Sequence, residues 1–330
     1  MTIPSSEDVV RFGDASSDGY FAWRHRFAVL TAAATFVLIF VGGLVTSTGS
    51  SLSVPDWPLS YGQLFPPMVG GVFYEHGHRM VAGTVALLTA ALAFWTWREE
   101  PRATVRRLAG FALGAIVVQA LLGGVTVLLR LPTAVSVAHA ALAQAFFCLV
   151  VSLAVVTGRQ WSSTPPAGNR DAWLVRLTAA TTAVIYVQLL LGAVMRHTGA
   201  GLAIPDFPLA YGRIVPPIDS FAVGIHFAHR AGAVLVASLV AASAARALQI
   251  HRGDPRVIRP ALLSVTLLAM QLGLGAAIIW SRKAVLPTTA HVAVGAALLA
   301  TSLVLALYSR RRAQASIEWA PHTVAERAHA

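Results

Sequence analysis

Apolar stretches of about twenty residues recur along the whole chain, separated by connections rich in Arg, Pro, Gly and Ser. They lie near residues 27–46, 73–97, 108–128, 134–157, 174–195, 221–245, 261–280 and 287–308. At ~1.5 Å per helical residue each is long enough to cross a hydrocarbon layer of about 30 Å. Within each stretch the apolar character is continuous. Lipid-facing barrel strands would alternate, so the pattern predicts helices. The expected fold is an all-α membrane protein with eight transmembrane helices.

Composition agrees with that pattern. The 330 residues are 56% hydrophobic and 12% charged, against about 25% charged in a soluble domain. The net charge of +11 would suggest nucleic acid on a soluble protein. Here the basic residues gather in the connections, so no nucleic-acid partner is expected and the partner is the lipid bilayer. Of the 25 Lys and Arg, only Arg130, Arg196, Arg213, Arg282 and Lys283 fall in connections on one side. Arg79 and Arg230 lie in or beside helices. The rest, including Arg11, Arg170 and Arg327, fall on the other side, which the positive-inside rule makes cytoplasmic. Both termini are therefore expected in the cytoplasm, and the long loops 47–72 and 196–220 face outward. The polar N-terminal stretch, with Glu7, Asp8, Asp14 and Asp18, lacks the basic start and apolar core of a signal peptide. The single cysteine, Cys148, lies in an apolar segment and has no partner for an intrachain disulfide.

The chain also repeats itself. "TGSSLSVPDWPLSYGQLFPP" from Thr48 returns as "TGAGLAIPDFPLAYGRIVPP" from Thr198. "EHGHRMVAG" returns as "HFAHRAGAV", pairing His78-Arg79 with His229-Arg230, and "PTAVSVAHAALAQA" returns as "PTTAHVAVGAA", pairing His139 with His291. The expected organisation is two tandem four-helix bundles, residues 1–157 and 158–330. Each holds an even number of spans and keeps the same orientation, so the halves should be related by a pseudo-twofold axis along the membrane normal.

His78, His139, His229 and His291 fall in the second, fourth, sixth and eighth spans, roughly 6–12 Å below the outer ends at ~1.5 Å per residue. Ionisable side chains inside spans are rare and functional by default. A pair of histidines from facing helices, present twice, is what bis-imidazole ligation of haem iron requires. The small residues of "FVGGLV", "LLGGVTV", "LLGAVM" and "LGLGAAI" permit close approach of a flat cofactor, or equally of another helix. Zinc fits less well, because its structural sites want four closed ligands, often including cysteine. Helical phase divides the "EHGHR" cluster. Glu75 and His78 are three residues apart and share a face. His76 is about 200° away from His78 and does not share it. In the second half His226 stands where Glu75 stands in the first.

On these residues the chain resembles the haem A synthase family, from about Phe27 to Tyr308. That resemblance implies an oxidoreductase of a bacterial cytoplasmic membrane, with its haem sites towards the outer face. It implies oxidation of the C8 methyl of haem O to the formyl group of haem A by successive hydroxylations. His229 and His291 would hold a haem b. His78 and His139 would form the substrate haem site, with Glu75 as its acid, stabilising a cation or taking a proton. Arg79 and Arg230 are candidates for haem propionates, or for snorkelling or pairing with Asp56 and Asp206. Haem O would come from a haem O synthase, an electron partner is required, and a homo-oligomer is compatible with the sequence. Unlike some family members, the outward loops carry no cysteine pair, so their Pro and aromatic residues are expected to form a rigid cap. Two rival readings are a di-haem cytochrome that only carries electrons, which would need no Glu75, and a transporter built from two repeats, which would place its ionisable residues near the midplane.

Overall fold

The computed structural model describes the backbone of residues 6–163 and 171–318, and the side chains of residues 22–163 and 171–313. Arg170, Arg327, both chain ends and the side chain of Arg11, used above for orientation, lie outside the described residues. The described chain is helical. Its helices are α1 (Ser6–Ser47), α2 (Gly71–Glu99), α3 (Ala103–Leu128), α4 (Thr133–Val156), a single turn α5 (Arg159–Ser162), α6 (Ala172–His197), α7 (Phe221–Ile250), α8 (Pro255–Trp280) and α9 (Val285–Glu318), with a 3-10 turn at Ala200–Leu202. Eight of them are long and apolar enough to cross a membrane, and each coincides with one of the predicted segments, α4 ending one residue before its segment does. The main departures are α1 and α9, which continue well past their apolar runs, because hydropathy marks the hydrocarbon layer and not the helix end. The helix α5 and the 3-10 turn leave no hydrophobic signal and were not expected.

Local chemistry sets several ends. The side chains of Asp171 and Ser220 accept from the backbone N–H groups of Leu174 and Val223, capping α6 and α7. Asp254 caps α8, and Pro255 follows at its first position, where a missing N–H costs nothing. In the first half α2, α3 and α4 start without side-chain caps, and tertiary packing must hold those ends instead.

Helices α1 to α4 pack consecutively and close with α4 against α1; α6 to α9 do the same, closing with α9 against α6. Helices α1 and α4 meet α6 and α9 across the middle. Polar bonds tie that seam. Arg196 donates to the Gly43 carbonyl and the Ser47 hydroxyl, both at 3.1 Å. Thr289 bonds Ser47 at 3.0 Å, and Tyr186 donates to the Ala141 carbonyl at 3.1 Å.

A buried apolar residue recurs at one register on every even-numbered span. Val85, Phe146, Val236 and Leu298 are all buried, and each lies seven residues beyond the histidine of its helix. Seven residues are about two turns, or roughly 10 Å along the same face. Each histidine thus has a buried apolar residue about two turns further along its own helix face.

Candidate functional site

Each histidine lies against a glycine of the preceding helix. A Cβ added at Gly42 of α1 would meet His78 Cε1 at 3.0 Å, one at Gly123 of α3 would meet His139 Cε1 at 3.1 Å, and one at Gly192 of α6 would meet His229 Cε1 at 3.0 Å. Gly275 of α8 is the loosest, 3.5 Å from His291 Cε1. In these helices the expected small residues therefore make room for an imidazole. The neighbouring glycines do other work: Gly43 packs against Thr289, and Gly124 receives the Trp57 indole.

The rings of His229 and His291 meet edge to face, with centroids 6.4 Å apart and planes inclined at 61°. With metal–nitrogen bonds of about 2 Å, two imidazoles on opposite sides of one ion have ring centres roughly 6 Å apart. The centroid separation of the C-terminal pair is close to that spacing. Among the described residues no group of three or more His, Cys, Asp or Glu could hold a metal ion. His229 and His291 supply two donors, which suits an ion whose other ligands belong to a macrocycle.

The roof over each pair is a loop with a repeated construction. The Asp56 carboxylate accepts from the N–H groups of Tyr61 at 2.7 Å and Gly62 at 2.8 Å, and Asp206 does the same with Tyr211 and Gly212. These backbone N–H groups, Gly62 before Tyr61 and Gly212 before Tyr211, hold both carboxyls below the usual aspartate range. Tyr61 sits at φ 53° and Tyr211 at φ 54°, a left-handed conformation that few non-glycine residues adopt. Each phenol donates back to the loop, Tyr61 to the Ser53 carbonyl and Tyr211 to that of Ala203. Trp57 drops from the first loop onto Gly124, and Phe207 from the second packs on Trp280 with ring centroids 6.1 Å apart.

Two arginines fasten these roofs. Arg79 donates to the carbonyls of Asp56 and Leu59, both at 2.7 Å, and pairs with Glu75 at 2.8 Å. Arg230 donates to the carbonyls of Leu209 at 2.8 Å and Asp206 at 2.7 Å, with Ile204 at 3.2 Å. The arginines thus reach the main chain of Asp56 and Asp206 and not their carboxylates, which the turn N–H groups already occupy.

Glu75 and His226 complete the fastening in parallel. Glu75 is buried and accepts from the Val54 N–H at 2.9 Å; His226, also buried, accepts from the Ile204 N–H at 3.2 Å. Each also faces its arginine four residues on, Arg79 in one half and Arg230 in the other. The expected exchange of an acid for an imidazole is present, and both groups turn towards the loop. His76 bonds the Ser60 hydroxyl at 2.8 Å, and so faces the roof.

The sequence reading passed over the glutamines. Gln188 of α6 donates to the His229 carbonyl at 2.7 Å and lies 3.1 Å from its Nδ1. Gln119 of α3 donates to the His139 carbonyl at 3.0 Å. The signal was present as Gln four residues before Gly123, Gly192 and Gly275, but it has meaning only once each glycine is seen to face a histidine.

A family profile described as cytochrome oxidase assembly protein matches residues 25–72 and 69–303. The haem A synthase of Bacillus licheniformis is 30% identical over 261 residues, covering 77% of this chain and 85% of its own length. That of Symbiobacterium thermophilum is 32% identical over 262 residues, covering 76% and 83%. That of Shouchella clausii is 29% identical over 299 residues, covering 88% and 98%.

Proposed function

From the premise that this chain belongs to the cytochrome oxidase assembly protein family, together with the haem A synthases, we propose that it oxidises the C8 methyl of haem O to the formyl group of haem A, using a haem b held by His229 and His291. It is a membrane oxidoreductase of haem A biosynthesis and a multi-pass bacterial membrane protein. Each hydroxylation replaces one C–H bond by C–OH: with water as oxygen donor it releases two protons and passes two electrons to an external acceptor, and with dioxygen it draws two electrons and two protons from an external donor and releases one water. Loss of water after the second leaves the aldehyde.

The observation that carries the reading is the 6.4 Å separation of the His229 and His291 rings over Gly192 and Gly275. Haem b bound there would supply one-electron redox chemistry. The N-terminal half repeats the histidine-on-glycine arrangement with His78 on Gly42 and His139 on Gly123, and we assign that half to the substrate. Glu75, an ion-paired carboxylate whose place in the other half is taken by His226, is the residue we assign to stabilising positive charge at the reacting carbon or accepting its proton. Because Arg79 and Arg230 spend their donors on loop carbonyls, we assign them to the roofs in preference to haem propionates. The two halves would stand side by side as tandem bundles with both termini in the cytoplasm and the haem sites towards the outer face.

The test is expression with and without a source of haem O, followed by extraction of the pigment. Haem A is expected only with haem O, together with retained haem b in both cases. A colourless purified protein, or haem b alone when haem O is supplied, would overturn the reading.

A further inference from the structure

Gln119, Gln188 and Gln271 each stand four residues before the glycine that faces a histidine, namely Gly123, Gly192 and Gly275. Four residues are one turn along the same helix face. At the corresponding place before Gly42, α1 carries Leu38. The consequence is an unequal anchoring of the four histidines. The Gln188 amide is bonded to the His229 carbonyl at 2.7 Å and lies 3.1 Å from Nδ1 of the ring. The Gln119 amide is bonded to the His139 carbonyl at 3.0 Å and lies 3.4 Å from a ring nitrogen. The Gln271 amide nitrogen lies 3.1 Å from where a Cβ of Gly295 would be, one turn below His291. Leu38 has no polar group to offer, and Nδ1 of His78 is buried without a partner. Nδ1 of His139 and His291 is also unpartnered, so a contact at Nδ1 sets His229 apart from the other three. Leu38 in place of a glutamine on the facing helix sets His78 apart.

We propose that His78 is the releasable ligand of the pair and that Leu38 and Gln188 are positioning residues that set how tightly each half keeps its haem. This rests on the haem reading above and deepens it. Groups that orient a metal-binding histidine are worth roughly 10–100-fold in affinity. A site that turns substrate into product must release what it binds, whereas a cofactor site must not. The leucine falls in the half assigned to the substrate, and the glutamine bonded to the His229 carbonyl in the half assigned to the cofactor.

The test uses the full chain, loaded by expression with a haem O source and then mixed with excess apomyoglobin as scavenger. Extraction and chromatography follow haem O plus haem A separately from haem b. Leu38→Gln is expected to slow transfer of haem O and haem A by about 10-fold and leave haem b unchanged. Gln188→Leu is expected to speed transfer of haem b by a similar factor. Gln188→Met, which keeps the side-chain length without the amide, should behave like Gln188→Leu, where a purely packing role would rescue it. A new polar group in α1 can impair folding, so the Gln188 variants stand as an independent arm. Unchanged transfer rates in a fully loaded protein would overturn the inference and leave the haem reading intact. A wild-type chain that carries no haem would overturn both.

Discussion

Glu75 and His226 do the same mechanical work in the two halves: each accepts a backbone N–H from the loop above, Val54 at 2.9 Å and Ile204 at 3.2 Å, and each faces an arginine one turn on. The roof therefore does not need a carboxylate, since the second half builds it with an imidazole. Only the first half has the acid, and that separates a chemical role for Glu75 from a structural one.

Glu75→His puts the second half's solution into the first. The Val54 N–H keeps an acceptor, so protection of residues 48–70 in hydrogen exchange should change little. Formation of haem A, measured in extracted pigment, should fall by about 100-fold or more, the usual loss when a catalytic acid or base is removed. Retained haem A formation with an intact roof would show that Glu75 is only a fastener.

Arg79→Ala should release the first roof. The Arg79–Glu75 pair is largely withdrawn from solvent, with side-chain exposures of 15% and 5%. Removing one partner of such a pair leaves the other charge uncompensated, a loss of about 3 kcal/mol or more. Limited proteolysis should open the 48–70 loop while leaving the equivalent loop of the second half, held by Arg230, protected. Equal sensitivity of both loops in the wild type and the variant would contradict the clamp.

The four glycines under the histidines should not be equally sensitive. Gly192→Ala puts a methyl 3.0 Å from His229 Cε1, closer than neighbouring carbons normally come, whereas Gly275→Ala leaves 3.5 Å to His291. Gly192→Ala is expected to lose haem b or shift its Soret band, and Gly275→Ala to retain both. Equal spectra for the two variants would mean that His229 does not ligate from this position.

The turn aspartates give the roofs a pH limit. Their folded carboxyls titrate below the unfolded value, which is about 3.9, because backbone N–H groups of the turn bond the charged form. Their contribution is therefore fully present above that value and is lost as the pH falls through the lower, folded one. Trp57 fluorescence should be flat from neutral pH to about 4 and change only below it. In Asp56→Asn, which cannot accept both N–H groups through carboxylate oxygens, the signal should already be altered at neutral pH.

Much of this was legible before any coordinates. The eight spans follow from apolar runs that only a helix can satisfy in lipid, and the four histidines follow from the internal repeat, because two copies at matched depth expose what a lone residue would not. The fastening of the roofs was not legible. Arg79 has an acid four residues before it and Asp56 in the loop, and nothing in the sequence says that the Asp56 carboxylate is already taken by the N–H groups of Tyr61 and Gly62. The glutamines were hidden for a different reason. Glycines in membrane helices are ordinary packing residues, so a Gln one turn away acquires meaning only when the glycine is seen to face a histidine.

Trp57 and Gly124 supply a test of how the roof is seated. A Cβ at Gly124 would lie 2.6 Å from the indole, an overlap that requires Trp57 to move. At the matching places the second half carries Phe207 and Ala276, a smaller ring over a larger residue. Gly124→Ala should therefore destabilise the first half by about 1–3 kcal/mol through overpacking, and Trp57→Phe alone should leave a gap over the glycine. Together they recreate the second half's combination, so the double variant should be more stable than the sum of the single losses predicts, a coupling that a double-mutant cycle isolates for residues in contact. Strictly additive losses in thermal unfolding would mean that the indole does not rest on α3 and that the roof is held by Arg79 and Glu75 alone.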